Sequence, residues 1–248
     1  MRWIRLSFLC AISWLPWVPA QALEEGQEDY IRANAIFFVY HELGHALIDI
    51  LQLPVFGQEE DAADVLGVIL SEAINEPEDN AAVMLAAADN FAFMAEAAEA
   101  EGYDLAFWDT HDLDMQRYFT ILCLWYGGDP EERQEEADEL QLPEERQETC
   151  GEEYELAEAS WGPVLEDISS GDGDADWMRF VVKSVPKGAA EEILLDAVRN
   201  EADLLSSVFS LEATLTITFE RCGEANAYYD PEDTQITICA ELAELFTE

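Results

Sequence analysis

A short polar run inside an apolar segment carries the residue types of a hydrolytic metal site. The run HELGH (residues 41–45) lies within FFVYHELGHALIDI (residues 37–50). Residues four apart lie on one face of a helix, so His41 and His45 can bind one zinc ion through their imidazoles. Glu42 can reach a zinc-bound water and act as its general base, and zinc lowers the pKa of that water toward about 7. The pattern predicts a single-zinc catalytic site.

A catalytic zinc usually has three protein ligands, so a further ligand must follow the histidines. The glycine and histidine of the long metzincin motif would fall on Ile48 and Leu51, which excludes that form. An acidic run at residues 59–64 instead opens a second predicted helix after a tight loop. We predict Glu60 as the third ligand, with Glu59 as the alternative.

The second helix also offers a partner for a zinc-bound histidine. Asp64 follows Glu60 by four residues and lies on the same side of the helix. It is predicted to accept the free ring N–H of a zinc-bound histidine and to hold its tautomer. Ala63 and Gly67 would let this face approach the first helix closely.

Two residues outside these helices are further candidates. His111 is the remaining one of three histidines. It is either a catalytic donor to the oxyanion that develops during water attack, or a surface histidine at a helix start. Arg117 is one of few cations, and we expect it to pair with Asp112 or Asp114 rather than to bind a substrate carboxylate.

The first 22 residues have the pattern of a secretory signal peptide. Arg2 and Arg5 precede an apolar stretch at 6–18, and residues 20–22 (AQA) give a cleavage site of the expected kind. That stretch is too short for a membrane span of about 20 residues. No later segment is judged apolar enough to span a bilayer. We therefore expect an exported protein, periplasmic or secreted, without stable membrane insertion.

The charge balance limits the partners of the chain. It has 55 acidic against 11 basic residues, and its formal net charge is −44. Such a surface repels nucleic acid and anionic membranes, so we expect no nucleic-acid partner. Attraction of basic substrates is one interpretation of the charge, and a merely solvated acidic surface is the simpler one.

Four cysteines remain after removal of the signal peptide, namely Cys123, Cys150, Cys222 and Cys239. An even count in an exported chain indicates two disulfides. Pairing between sequence neighbours, 123–150 and 222–239, is preferred among three possible connectivities. The tyrosines and the asparagine at 226–229, inside the second loop, are assigned to turns.

Apolar periodicity predicts an α+β, mostly helical fold in which strands appear late. The predicted elements are helices over 28–51, 58–74, 80–101 (capped by Asn80), 112–126 and 152–168, a linker at 169–174, a strand at 177–182, a helix over 187–209, strands at 213–219 and 235–239, and a short helix at 240–246. Residues 23–248 are predicted to form one domain, in which the strand-containing segment 175–248 packs on the N-terminal helices.

Several stretches carry a family resemblance, among them HELGHALIDILQLPVFGQEEDAAD, HDLDMQRYFTILCLWYG and CGEANAYYDPEDTQITICAEL. The first resembles the gluzincin pattern of HExxH followed by Glu-x-x-Ala-Asp. Together they resemble a bacterial domain-of-unknown-function family of zinc metallopeptidases. The resemblance implies a zincin-like fold, one zinc ion and peptide substrates.

The order of segments departs from the order of that family and of zincins generally, in which the strands precede the HExxH helix. Here the strand block follows it. Our hypothesis is a circular permutation, which requires the two ends of the chain to lie close together. The permutation would not change which residues bind zinc.

The expected function is that of an exported zinc metallopeptidase that uses Glu42 as general base. Two alternatives remain: a catalytically inactive zinc-binding interaction module, and a metal-dependent hydrolase of non-peptide amides. The presence of Glu42 argues against the first, because a purely structural zinc site does not need a base.

Overall fold

The computed structural model describes residues 23–169 and 177–247. The predicted signal peptide, and the predicted linker except Ser169, lie outside these residues. The helices are α1 (Gln27–Leu51), α2 (Glu59–Ile74), α3 (Pro77–Glu101), α4 (Asp114–Gly128), α5 (Gln134–Glu139), α6 (Glu144–Ser169), α7 (Ala189–Val208) and α8 (Leu242–Leu245). The strands are β1 (Met178–Val182), β2 (Leu215–Glu220), β3 (Ala227–Asp230) and β4 (Gln235–Cys239). The predicted α+β, mostly helical class is confirmed.

Helix α1 is the central helix of the core. Its apolar residues are buried on nearly every side, as Ile31, Phe37, Tyr40 and Leu47 show. Helices α2 and α3 pack against it, and α7, β3 and β4 also contact it. A helix that is hydrophobic all round belongs in the interior. The histidines of α1 are therefore carried into the core by their neighbours.

The four strands form one sheet in the order β1-β2-β4-β3. β1, β2 and β4 run parallel, and β3 pairs antiparallel with β4. The central strand β2 is buried on both faces, since Ile217 and Thr218 are both fully covered. β3 was not predicted, because its four residues are mostly half-buried and do not alternate in polarity. It lies at one edge of the sheet.

The predicted start of α3 is wrong. The helix begins at Pro77, because the fixed φ of proline suits a first helical turn and its missing N–H costs nothing there. Asn80 is not its cap: it is buried, and its side-chain amide donates to Glu72 at 2.6 Å.

The predicted start of α6 is wrong as well. The helix begins at Glu144, eight residues before the predicted start at residue 152. Its first turns carry mostly charged residues, and Cys150 is the first buried residue. Apolar periodicity gives no signal over such a stretch.

One expectation about membrane spans is also wrong. Helix α3 has the length and composition of a span. Ten of its 25 residues are alanine. In the structure Val83, Met84 and Phe91 of this helix are buried in the core.

Both preferred disulfides are confirmed. Cys123 of α4 is bonded to Cys150 of α6, and Cys222 is bonded to Cys239 at the end of β4. Disulfides persist mainly in oxidising compartments.

The two ends of the described chain lie side by side. The side-chain amide of Gln27 donates to the backbone carbonyl of Thr247 at 3.3 Å. Buried residues from both sides of the gap at 170–176 join one hydrophobic core. The geometric requirement of the permutation hypothesis is therefore met, while the permutation and the domain bounds stay predictions.

Candidate metal centre

Helix α1 places its three polar side chains in the middle of the core. His41 and Glu42 are 5% and 4% exposed, and His45 is half-buried one turn further on. Unpartnered polar groups at such depth are destabilising, so each must find a partner or a ligand. All three side chains line one cleft.

A close helix crossing brings α2 to these residues. A Cβ added to Gly44 would lie 2.8 Å from the Cα of Ala63. Glycine is therefore required at this point of the motif for the two helices to touch. Glu60 lies one turn before Ala63, so the crossing carries its carboxylate toward the histidines.

Three donor atoms converge between α1 and α2. His41 Nε2 and His45 Nε2 are 3.3 Å apart. Glu60 Oε2 lies 3.3 Å from the first of these nitrogens and 3.2 Å from the second. Tetrahedral zinc, with bonds of about 2.0–2.1 Å, separates its ligand atoms by roughly 3.3 Å. The three atoms fit that ion by donor type and by spacing.

Each candidate histidine ligand has a carboxylate on its other ring nitrogen. His41 Nδ1 lies 2.7 Å from Asp64 Oδ1, and His45 Nδ1 lies 2.8 Å from Glu59 Oε1. These contacts favour N–H at Nδ1, so each Nε2 faces Glu60 and can give its lone pair to a metal ion once it has lost its own proton. Glu59, the alternative ligand, thus contacts the outer side of His45.

Arg117 reaches the same cluster from α4. Its Nε and Nη2 donate to the two oxygens of Asp64, both at 2.7 Å. Its guanidinium carbon lies 4.0 Å from the centroid of the Phe91 ring. The expected pairing with Asp112 or Asp114 is therefore wrong. The sequence held a signal that this cation points inward, because the apolar residues Ile121 and Leu124 follow Arg117 at four and seven positions on the same helical face.

His111 approaches the centre from the loop between α3 and α4. Its Nε2 lies 2.9 Å from Glu60 Oε2, and its side chain is 46% exposed. The loop therefore places a third imidazole beside the two histidines of α1. Asn226, Tyr228 and Tyr229, assigned to turns from the sequence, line the same cleft from β3 and its preceding residue.

The ion pairs at the centre shift the pKa values of its groups. Burial alone would lower the pKa of His41, but hydrogen bonds with Asp64 and Glu60 raise it to about 9. Burial opposes ionisation of Glu60, yet hydrogen bonds with the three histidines hold its pKa far below the usual range. Burial raises the pKa of Glu42. In the metal-free protein His41 carries a proton at neutral pH.

Metal uptake is expected to depend on pH for this reason. A metal ion must displace the proton of His41. Burial alone would lower the pKa of His45, but hydrogen bonds with Glu60 and Glu59 raise it as well. The apparent zinc affinity should therefore rise by about tenfold or more per pH unit between pH 7 and 9. Proton release can be measured by calorimetry in buffers of different ionisation enthalpy. The folding stability of the metal-free protein should change with pH in the opposite direction from the zinc affinity. The folded pKa is raised, so the stabilisation is complete below about pH 6.5 and disappears as the pH passes 9. A zinc affinity that does not change between pH 7 and 9 would show that His41 is not protonated in the metal-free protein at neutral pH.

Gly44→Ala is expected to weaken the metal centre. Alanine favours helices by up to about 1 kcal/mol, but overpacking against Ala63 costs about 1–3 kcal/mol and moves Glu60 away. We expect a lower melting temperature and at least a tenfold loss of zinc affinity. Gly162→Ala on α6 is the matched control. A Cβ added there would have the Glu158 side chain as its nearest neighbour, at 3.8 Å, apart from the backbone of its own helix. Unchanged zinc affinity in Gly44→Ala would show that the close crossing does not position the ligand.

The sequence was also compared with known proteins. Residues 18–165 and 185–248 match the sequence model of the DUF4344 family, whose description is "Putative metallopeptidase". The chain belongs to this family. The resemblance seen in its motifs is thereby confirmed. Because most of the chain is covered, the DUF4344 match includes α1, α2, the loop of His111 and the sheet from β2 onward. No curated protein and no solved structure gives a significant match.

Proposed function

We propose that this DUF4344 protein is an exported zinc metallopeptidase. The observation that carries the proposal is the triangle of His41 Nε2, His45 Nε2 and Glu60 Oε2, with edges of 3.2–3.3 Å, beside Glu42 in an open cleft. Two imidazoles and one carboxylate form a donor set that suits zinc and leaves a coordination position for water or substrate. The two disulfides support export.

Glu42 is the proposed general base. A zinc ion held by the three ligands would polarise the scissile carbonyl and lower the pKa of a coordinated water. The carboxylate of Glu42 accepts the proton of the attacking water and then delivers it to the leaving amine nitrogen. Its burial supports this role, because a raised pKa brings a carboxylate closer to the range in which it can exchange a proton near neutral pH.

His111 is the proposed donor to the oxyanion. A developing negative charge on the carbonyl oxygen needs a preorganised N–H group on the open side of the site. His111 is exposed, and its Nε2, 2.9 Å from Glu60 Oε2, is close enough to serve. Its N–H would turn from Glu60 to the oxyanion as the charge develops. Arg117 acts indirectly, by holding Asp64 and through it the tautomer of His41.

A peptide is a better substrate for this cleft than a small amide. β3 is an edge strand, and within the described residues no further strand pairs with its outer side. Its residues line the cleft beside Glu42. The free backbone groups of an edge strand can bind an extended peptide by main-chain hydrogen bonds.

Metal analysis combined with a cleavage assay tests the proposal. The mature protein is purified, its metal content is measured, and the metal is removed with a chelator and then restored as zinc. Cleavage of a mixed peptide library is followed at each step. We expect about one zinc per chain, loss of cleavage in the stripped protein, and recovery with zinc.

The outcomes separate the alternatives. A protein that takes up no metal contradicts every zinc-based function. Stoichiometric zinc without cleavage of any peptide points to the inactive zinc-binding module. Cleavage that survives complete metal removal would mean that the triangle of ligands is not the catalytic centre.

A further inference from the structure

Two clefts meet at the candidate metal centre. One has a volume of about 840 Å³ and the other of about 490 Å³. His41, Glu42, His111, Asn226 and Ala227 line both of them. The parts of a bound substrate on the two sides of the metal centre, its two flanks, would therefore lie in different clefts. The linings differ, and the difference bears on what the flanks can be.

The smaller cleft is lined mainly by apolar side chains. One cation and five carboxylates also belong to its lining, namely Arg117, Glu42, Asp104, Asp109, Asp112 and Asp114. Phe38 and Phe91, whose rings stack with centroids 6.4 Å apart, belong to its lining. Leu245 of α8 contributes to it, and Leu105 and Met115 come from the segment between α3 and α4 and the start of α4. A cavity of this composition takes a bulky apolar side chain, since each buried methylene contributes about 0.8 kcal/mol.

The same loop exposes further large apolar side chains, of which Tyr103 and Leu105 line this cleft. Tyr103, Leu105, Phe107 and Trp108 are between 60% and 86% exposed. A group of exposed large apolar residues marks an interaction surface. The loop at 102–113 carries three aspartates and neither lysine nor arginine, which disfavours an anionic membrane as the partner. An apolar residue of a peptide is therefore the better partner for the apolar side chains of this loop.

The larger cleft has few apolar side chains and no lysine or arginine in its lining. Four carboxylates belong to that lining. Glu42 and Glu60 have roles at the metal centre, whereas Asp49 and Glu59 lie further out. Asp49 accepts a hydrogen bond from Tyr229 at 2.8 Å, and the side chain of Glu59 is 52% exposed. Both carboxylates are accessible enough to bind the ammonium or guanidinium group of a substrate.

We propose that this centre selects peptides with a bulky apolar residue on one side of the scissile bond and a lysine or arginine on the other. The apolar side chain enters the cleft formed with the 102–113 loop, and the basic side chain lies near Asp49 and Glu59. The selectivity rests on the proposed peptidase function, and it gives part of the acidic surface a role.

Matched quenched-fluorescence peptides test the selectivity on the zinc-loaded protein. The peptides carry phenylalanine or glycine on one side of a fixed cleavage site and lysine or glutamate on the other, in every combination. Each combination is also made with the two sides exchanged. The phenylalanine–lysine combination in one direction should have a kcat/KM at least about tenfold above that of each single replacement. The favoured direction then shows which cleft takes the residue before the scissile bond.

Two variants assign the preferences to the clefts. Leu105→Ser should reduce the phenylalanine-to-glycine ratio, and Asp49→Asn should reduce the lysine-to-glutamate ratio, each by at least about threefold. The matched controls are Phe56→Ser, a 98% exposed phenylalanine outside both linings, and Glu152→Gln, an exposed acid on α6. Neither control should change either ratio.

Failure of the selectivity and failure of the peptidase function give different results. Cleavage of all peptides at similar rates, or a preference for glutamate over lysine, overturns the selectivity and leaves the peptidase function intact. If no peptide is cleaved, their binding to the zinc-loaded protein is measured by fluorescence anisotropy. Preferential binding of the phenylalanine–lysine peptide then supports the selectivity of a non-hydrolytic module, and equal or absent binding overturns it.

Discussion

Glu42→Gln is expected to keep one zinc ion per chain and to lower kcat/KM by about a hundredfold to ten-thousandfold. The amide has nearly the shape of the carboxylate but cannot take a proton from water, and general-base catalysis contributes a factor of this size. Because Glu42 is not among the three converging donor atoms, zinc affinity should change little. Metal content and cleavage of the best library peptide are measured on the same preparation.

Glu28→Gln provides the matched control on the same helix. Glu28 is exposed and bonded to Arg32 one turn away, far from the cleft. This variant should retain both zinc and activity. Equal activity in Glu42→Gln and the parent protein would remove Glu42 from the mechanism. Loss of zinc in Glu42→Gln would instead show that Glu42 helps to hold the ion.

Glu60→Gln is expected to reduce zinc affinity by more than about a hundredfold, while Glu59→Gln reduces it by about tenfold or less. The first variant replaces an anionic candidate ligand with a neutral amide. The second keeps an oxygen that can accept the N–H of His45 Nδ1, so the outer hydrogen bond survives. Affinity is measured by competition with a chromophoric chelator at a fixed pH.

The adjacent glutamates control for each other, because both substitutions remove one charge from the first turn of α2. Circular dichroism and melting temperature should show folded protein in both cases. A larger loss of affinity in Glu59→Gln would reverse the assignment and make Glu59 the ligand. Equal small losses would mean that the histidines alone dominate binding.

The helical part of the fold was largely predictable because apolar periodicity is a local property. α1, α2 and α7 begin and end within about two residues of the predicted positions. The prediction missed the start of α6, where charged residues hide the helix, and it missed β3 entirely. A strand of four half-buried residues is stabilised by its pairing with β4, which is a long-range contact that local patterning does not contain.

The partner of Arg117 shows the same limit at the centre itself. The sequence offered Asp112 and Asp114 as neighbours, yet the guanidinium binds Asp64, 53 residues earlier. A buried cation pairs with whichever carboxylate the packing brings to it, and burial makes the choice costly to reverse.

The sequence alone supplies the side chains on which the proposed chemistry depends. Spacing of four along one helix brings His41 and His45 to one face, and the covalent order places Glu42 beside them whatever the rest of the chain does. Which acid completes the triangle depends on how α2 packs on α1, because neighbouring side chains on α2 point about 100° apart. The contact of Gly44 with Ala63 sets that rotation, turning Glu60 toward both Nε2 atoms and Glu59 toward the outer face of His45.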